Sequence, residues 1–162
     1  MVDQGPHGYW VILASFLVAA VLAVMPLPQW LLWWRPEWLA LVLIYWVIAL
    51  PHRVGLLTAL LLGIVLDVLE GAVMGQNALA LSAVAASGLV LYQRLRVFNL
   101  TQQAAVVFMM VGVNQLLCNW IENLQGTGAQ SALFLLPALS SALMWPIVLH
   151  VLRGMRRFYR VT

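Results

Sequence analysis

The chain contains no lysine, a single cysteine and few charged side chains of either sign. Charged residues make up 8% of the 162 residues, whereas hydrophobic residues make up 64%. A soluble domain carries charge on roughly a quarter of its residues, so this composition excludes an ordinary soluble fold. The sequence is typical of an all-α membrane protein with about six spans of about 20 residues. We expect the whole chain, 1–162, to form one integral membrane domain.

Two further absences concern covalent chemistry and targeting. Cys118 has no second cysteine to pair with, so an intramolecular disulfide or a cysteine-based metal site is excluded. The segment 1–7 holds no Lys or Arg and therefore lacks the basic start of a cleaved secretory signal. We therefore expect the first apolar run to be a retained membrane span.

Motifs typical of enzymes are missing as well. The sequence has no Gly-rich phosphate loop and no GxSxG elbow. Serines within the apolar runs lie without a nearby base, which favours a packing role. The histidines are predicted near one membrane surface without the spacing of a shared metal site: His7, His52 and His150. The sequence therefore predicts a non-enzymatic protein without a metal or cofactor.

Apolar runs separated by polar, proline or glycine residues predict six helices. They cover 9–26, 37–51, 54–70, 77–93, 102–121 and 132–152. The second and third runs are short and a single turn separates them, so we expect a tight hairpin, with Pro51 ending the second helix near residue 50. Short runs are also compatible with tilted or re-entrant segments.

Arginine placement predicts the orientation. With the N-terminus inside, the outer loops contain only Arg35, and the inner loops and tail contain the other seven arginines. These are Arg53, Arg94, Arg96, Arg153, Arg156, Arg157 and Arg160. Under the positive-inside rule both termini are expected to be cytoplasmic. The basic tail indicates contact with anionic membrane lipid and does not require a nucleic acid.

Polar residues inside the apolar runs are costly unless they have partners, so they are candidates for function. In the third run, Gly63, Asp67 and Gly71 are spaced to share one helix face, where small residues allow a neighbouring backbone to approach. In the fifth run, Asn119 and Glu122 belong to a polar stripe at the outer end. We expect one acid of these two runs to pair with Arg35: Asp67, Glu70 or Glu122.

Two interpretations of this polar cluster remain open. It could form an ion path, a substrate pocket or a groove for a partner. It could instead be an interhelical network that fixes packing, with each bond worth about 0.6 kcal/mol. No acid relay repeats through the membrane, so proton pumping is disfavoured.

Three segments together resemble one family. They are Arg35-Pro-Glu-Trp38, then Tyr45-Trp-Val-Ile-Ala-Leu-Pro-His-Arg-Val54, then Gly63-Ile-Val-Leu-Asp67 with Gly71 and Gly75. They are similar to the rod shape-determining protein MreD family, in its proteobacterial form. The similarity extends over nearly the whole chain, and the central hairpin is its most specific part.

The resemblance implies a component of the machinery that builds lateral peptidoglycan at the bacterial inner membrane and controls rod shape. It implies direct binding to MreC and, through the complex, contact with MreB, RodA and its penicillin-binding transpeptidase. The family is also similar in fold to the substrate-binding subunits of energy-coupling factor transporters, which does not by itself imply a vitamin ligand.

The site residues implied by the resemblance and the polar stripe can be stated together. They are Arg35, Pro36, Pro51, His52, Arg53, Gly63, Asp67, Gly71, Gly75, Asn119 and Glu122. We expect the network around Arg35 and Asp67 to shape an outer groove for the transmembrane helix or adjoining segment of MreC. The hairpin at His52 and the basic tail are expected to face MreB or anionic lipid. Pro51 has the simpler interpretation of a helix stop, and the glycines that of close packing.

Two other classes of function are kept as alternatives. A small-molecule transporter subunit requires a cavity lined by the polar faces of the third and fifth runs. An enzyme acting on a lipid-linked substrate requires a positioned acid–base pair, for which the sequence offers no candidate.

Overall fold

The computed structural model describes residues 9–26, 28, 34–51, 54–71, 74–126 and 135–158. Within these ranges the chain is all-helical, as predicted. The six helices are α1 Tyr9–Val24, α2 Trp38–Ala49, α3 Leu56–Glu70, α4 Gln76–Val97, α5 Leu100–Leu124 and α6 Leu136–Phe158. Of these, α4, α5 and α6 are long and apolar enough to cross a membrane, while α1 and α2 are shorter apolar helices. The positions of the six predicted helices are confirmed, with bounds that differ by up to six residues, most at the end of α6.

The short helix α2 lies at the centre of the bundle. Nine of its twelve residues are buried, and it packs against α1, α4, α5 and α6. A twelve-residue helix is only about 18 Å long, well short of a hydrocarbon core of about 30 Å. Because neighbouring helices enclose α2, its ends need not reach the lipid headgroups. This enclosure also explains why the helix is apolar on every side.

The remaining helices surround α2 and present apolar side chains outward. Helix α3 packs mainly on α4 and exposes Leu57, Leu61 and Val68. Close packing between α2 and α4 depends on Gly88, where an added Cβ would lie 2.9 Å from Val47 Cγ1. The outward apolar side chains match a lipid environment, in which exposed leucines and valines incur no cost.

Two buried tryptophans join neighbouring helices through hydrogen bonds of their indole N–H groups. Trp46 of α2 is fully buried, and its Nε1–H donates to Ser15 Oγ of α1 at 2.8 Å. Trp145 of α6 donates to Gln103 Oε1 of α5 at 3.3 Å. Each indole N–H therefore has a partner inside the bundle, as a buried tryptophan requires.

The connection after α2 agrees with the predicted stop. The helix ends at Ala49, Leu50 is its C-cap, and Pro51 follows directly. Proline disfavours helical geometry in the residue before it, which accounts for the end of α2. His52 and Arg53, which were predicted to form part of the site, lie outside the described residues.

Interhelical hydrogen bonds define two ends of the bundle. At the first end, which we call the acidic end, the C-termini of α1, α3 and α5 meet the N-termini of α2, α4 and α6. It contains the four described acids: Glu37, Asp67, Glu70 and Glu122. The opposite end, which we call the arginine end, carries the other described arginines: Arg94, Arg96, Arg153, Arg156 and Arg157.

Candidate functional site

Asp67 is the most enclosed acid of the acidic end, with 1% of its surface exposed. Its Oδ2 accepts the backbone N–H of Gly75 and its Oδ1 accepts that of Asn77, each at 2.8 Å. These groups belong to the first turn of α4, whose N-cap, Gly75, has no side chain to accept them. The carboxylate of α3 therefore caps α4, where the helix dipole also favours a negative charge.

Glycines place α3 and α4 so that this cap can form. An added Cβ at Gly63 would lie 2.2 Å from Ala78 Cα, so the two backbones touch at this point. Gly71 and Gly75 have φ values of +66° and +95°, with no atom within 4 Å of an added Cβ. The left-handed backbone at the α3–α4 connection, and not close packing, is therefore what requires glycine at these two positions.

Asn77 and Gln76 extend the contacts from α4 to both neighbouring helices. Asn77 Nδ2 donates to Glu70 Oε2 at 3.1 Å, and Gln76 Nε2 donates to Glu122 Oε1 at 3.0 Å. The thiol of Cys118 lies 3.7 Å from Asn77 Oδ1 as a weak donor. Polar side chains thus join α3, α4 and α5, with Glu70 of α3 and Glu122 of α5 both bound to residues of α4.

Glu37 joins three helices at the same end of the bundle. Its backbone N–H donates to Ser141 Oγ of α6 at 2.8 Å. Its carboxylate Oε1 accepts Gln115 Nε2 of α5 at 2.6 Å. The residue stands at the N-terminus of α2, so it fixes the buried central helix to α5 and α6.

Arg35 binds main-chain carbonyls at the end of α1. Its Nη1 donates to the carbonyl oxygen of Ala23 at 2.6 Å, and its Nη2 donates to that of Met25. These carbonyls lie at the C-terminal end of α1, where unpaired acceptors and the helix dipole attract a cation. Both oxygens of Asp67 accept main-chain N–H groups. The pairing of Arg35 with Asp67, Glu70 or Glu122 stays a prediction. Arg35 joins α1 to the start of α2.

Two further predicted site residues, Pro36 and Asn119, lie at the acidic end. Pro36 precedes α2, and its carbonyl oxygen accepts the N–H of Trp38 at 3.0 Å. Asn119 lies half-buried on α5 between Gln115 and Glu122, and its part in the network stays a prediction. Within the described ranges, no three His, Cys, Asp or Glu side chains are grouped to hold a metal ion.

Several important residues were missed from the sequence. Glu37 lies inside the motif that carried the resemblance but was not selected, and Ser141 was interpreted as a packing residue. Gln76 and Asn77 follow Gly75 directly, and a helix that begins with glycine needs an acceptor from elsewhere. That signal, combined with an acid at the end of the preceding helix, could have identified the cap.

The chain is similar to known proteins over most of its length. A family model described as rod shape-determining protein MreD matches residues 5–155. The chain belongs to the MreD family. It is 34% identical over 149 residues to the rod shape-determining protein MreD of Haemophilus influenzae, a match that covers 92% of each chain. No solved structure matches the sequence.

Membership agrees with the resemblance seen in the central hairpin. A rod shape-determining membrane protein fits both the family and the apolar helices. For this MreD family member, the acidic end is a set of helix-to-helix contacts made by acids, amides and main-chain groups. Such contacts hold the helices in one arrangement.

Proposed function

We propose that the protein is a non-enzymatic component of the bacterial cell-elongation complex, which binds MreC and helps control lateral peptidoglycan synthesis and rod shape. MreB, RodA and its penicillin-binding transpeptidase act with it through that complex. The observation that carries this proposal is the MreD family match over residues 5–155. The bonds of the acidic end support a structural role, because each described acid holds another helix or a helix terminus.

The proposed location is the inner membrane, with six spans and both termini in the cytoplasm. Seven of the eight arginines in the sequence then lie on the cytoplasmic side. The acidic end accordingly faces the periplasm and the arginine end faces the cytoplasm. A protein tag at either terminus that is active only in the cytoplasm, such as a fluorescent protein, tests this orientation.

We place the MreC contact in an apolar groove between α1, α2 and α6. The groove has a volume of about 250 Å³ and its lining is almost wholly apolar. On α6 it extends from Met144 to Met155, about 16 Å along the helix axis. An apolar groove that runs along the axis of α6 suits a transmembrane helix, because such helices associate by van der Waals packing. Its outer rim lies near Leu22 and Trp38, beside the residues that Arg35 ties together.

This placement changes the predicted role of Asp67. The carboxylate is enclosed between α3 and α4, away from the groove, so it supports the bundle and does not touch the partner directly. Arg35 lies close to the groove, because it bonds to carbonyls at the end of α1, next to the lining residue Leu22. The two residues that were predicted to act together therefore have separate structural roles in this proposal.

Partner identity is tested by purifying the tagged protein in mild detergent and identifying the associated proteins by mass spectrometry. Stoichiometric MreC supports the proposal. Recovery of a transporter's ATPase pair without MreC contradicts it and favours the alternative of a substrate-binding subunit.

The position of the contact is tested by site-specific photocrosslinking. A photoreactive residue is placed at Val151, which lines the groove and is 57% exposed. Val90 of α4 is the matched control, because it is also a valine, is 79% exposed and lies away from the groove. We expect a crosslink to MreC from position 151 only. Equal crosslinking from both positions contradicts the groove assignment while leaving MreC binding intact.

A further inference from the structure

A second cavity opens at the arginine end, between α2, α4, α5 and α6. Its volume is about 350 Å³, within the range of small-ligand sites. Three arginines line it: Arg96 from α4, with Arg153 and Arg156 from α6. Tyr45, Gln103 and Trp145 form its deeper wall and are all buried. The cavity therefore combines a floor that excludes water with a rim of guanidinium groups.

No described acid lies near these arginines. The four described carboxylates all belong to the acidic end, and Arg96 stands twenty residues beyond Gln76 along α4, a distance of about 30 Å. This distance exceeds the Debye length of about 8 Å, so the attraction between the arginines and the carboxylates is largely screened wherever these groups reach water. The four described carboxylates thus lie far from the positive charge of the cavity.

Arg96 is held in place without being neutralised. Its Nε donates to the carbonyl oxygen of Ile48 at 2.9 Å and its Nη2 to that of Ala49 at 3.2 Å. The guanidinium carbon also lies 5.1 Å from the centre of the Tyr92 ring. An arginine has five N–H donors, and these two bonds use two of them. A fixed guanidinium with donors to spare is pre-organised for an anion with several oxygens.

The wall beneath the rim is equally well ordered. Gln103 Nε2 donates to the carbonyl oxygen of Leu95 at 2.7 Å, and Gln103 Oε1 accepts the Trp145 indole N–H. These bonds tie α4, α5 and α6 together directly below the arginines. The cavity is therefore a built feature of the bundle, since its wall is held by buried hydrogen bonds.

We infer that this cavity is a binding site for a phosphate ester, and that its occupant is the headgroup of an anionic phospholipid. Guanidinium groups bind phosphate oxygens in pairs, and basic pockets between membrane helices bind anionic headgroups. The lipid source follows from position, because the cavity opens at the arginine end of a membrane bundle, where the exposed Val97 directly follows the lining residue Arg96. This inference is independent of the MreC proposal and depends only on the chain lying in a membrane.

Two double variants separate a specific pocket from a general basic surface. Arg153→Gln with Arg156→Gln removes two arginines that line the cavity. Arg94→Gln with Arg157→Gln is the control. It removes the same charge from the arginine end, one arginine from α4 and one from α6, but neither residue lines the cavity. Full-length protein is reconstituted in nanodiscs containing phosphatidylglycerol and phosphatidylcholine, released into the gas phase, and weighed with its bound lipid by native mass spectrometry.

We expect the wild type and the Arg94/Arg157 variant to retain one phosphatidylglycerol in preference to phosphatidylcholine. The Arg153/Arg156 variant is expected to lose that preference by about tenfold or more, since each arginine near the surface contributes substantially to anion binding. Equal loss in both variants, or no loss in either, overturns the inference. Arg153→Lys with Arg156→Lys keeps the charge and reports on folding, and its retention should fall between those of wild type and the glutamine variant.

Competition distinguishes the two sources of phosphate. Inorganic phosphate and a short-chain phosphatidylglycerol are each titrated against the retained lipid. Displacement by the short-chain lipid alone supports the headgroup assignment. Displacement by inorganic phosphate at similar concentrations overturns the lipid assignment and identifies a site for soluble phosphate compounds.

Discussion

The charged side chains of the acidic end contact neighbouring helices, whereas those of the arginine end border a cavity or the surface. Asp67 caps α4, and Glu37 reaches both α5 and α6. At the other end Arg94, Arg96, Arg153 and Arg157 are exposed, and Arg96 donates two hydrogen bonds to carbonyls at the end of α2.

The difference follows from the solvent available to each group. A carboxylate enclosed between helices cannot reach water, so every oxygen needs a protein donor. A long arginine at a helix end can extend its guanidinium to the membrane surface, where water and lipid phosphate are available. The acidic end should therefore control stability, while the arginine end should control orientation and lipid contact.

The largest effect is expected at the α3–α4 contact on which the acidic end depends. Gly63→Ala forces α3 and α4 apart, because the new Cβ would lie 2.2 Å from Ala78 Cα. We expect a loss of at least about 3 kcal/mol in the free energy of unfolding, or failure to accumulate in the membrane. Gly112→Ala in α5 is the control, since nothing lies within 4 Å of its added Cβ. Thermal unfolding in detergent measures both, and equal behaviour of the two variants would contradict the close contact.

The next effect is expected at the cap. Asp67→Asn removes one acceptor and leaves a buried N–H of Gly75 or Asn77 unpaired, at a cost of about 2 kcal/mol. Glu122→Gln removes the same charge from the same end but keeps an oxygen for Gln76, so its cost should stay below about 1 kcal/mol. Chemical denaturation in detergent compares them. An equal cost for both would mean that charge, and not capping, determines the stability of this end.

Much of the helical architecture was predictable from the sequence. Each apolar run is long enough to identify a helix, and Pro51 marks the end of α2. The burial of α2 was harder to foresee, because an apolar helix can face lipid or protein with the same composition. Periodicity places Gly63 and Asp67 on one face of α3, as found.

The partners of the polar residues were not predictable in the same way. Helical spacing shows which side chains share a face but not which neighbour that face meets. Asp67 was expected to bind a side chain, whereas it binds main-chain N–H groups, whose sequence signal is the glycine that begins α4. The carbonyls at the end of α1 that Arg35 binds were not among its predicted partners. In an apolar environment the unpaired groups at helix ends compete with side chains for every charge.

Two adjacent serines allow a smaller, sharper test at the acidic end. Ser141 Oγ accepts the N–H of Glu37, whereas Ser140 Oγ is buried without a hydrogen-bond partner among the described residues. Ser141→Ala should cost about 1 kcal/mol by leaving that N–H unpaired. Ser140→Ala should be neutral or slightly stabilising, because it removes an unpaired polar atom. Unfolding midpoints of the two variants give the comparison, and a larger cost for Ser140→Ala would show that the assigned bond is not the important one.

The smallest effect is expected at the arginine end, and it tests whether that end contributes to stability at all. Arg96→Gln loses the two bonds to the carbonyls of Ile48 and Ala49, which lie at the C-terminal end of α2. Cations at helix C-termini typically contribute about 0.3–1 kcal/mol, so we expect a loss in that range. Arg94→Gln removes an equal charge two residues away and should change the unfolding midpoint little, because exposed charges contribute little singly.

The two arginine variants also separate stability from lipid contact. If Arg96→Gln destabilises the protein more than Arg94→Gln at high salt as well as low salt, the hydrogen bonds to α2 account for the difference, since a purely ionic effect is screened. If added phosphatidylglycerol stabilises the wild type and Arg94→Gln but not Arg96→Gln, the same arginine serves both the helix end and the cavity. A cost as large as that of Asp67→Asn would remove the contrast between the two ends, because a surface arginine would then be as necessary to the fold as an enclosed cap.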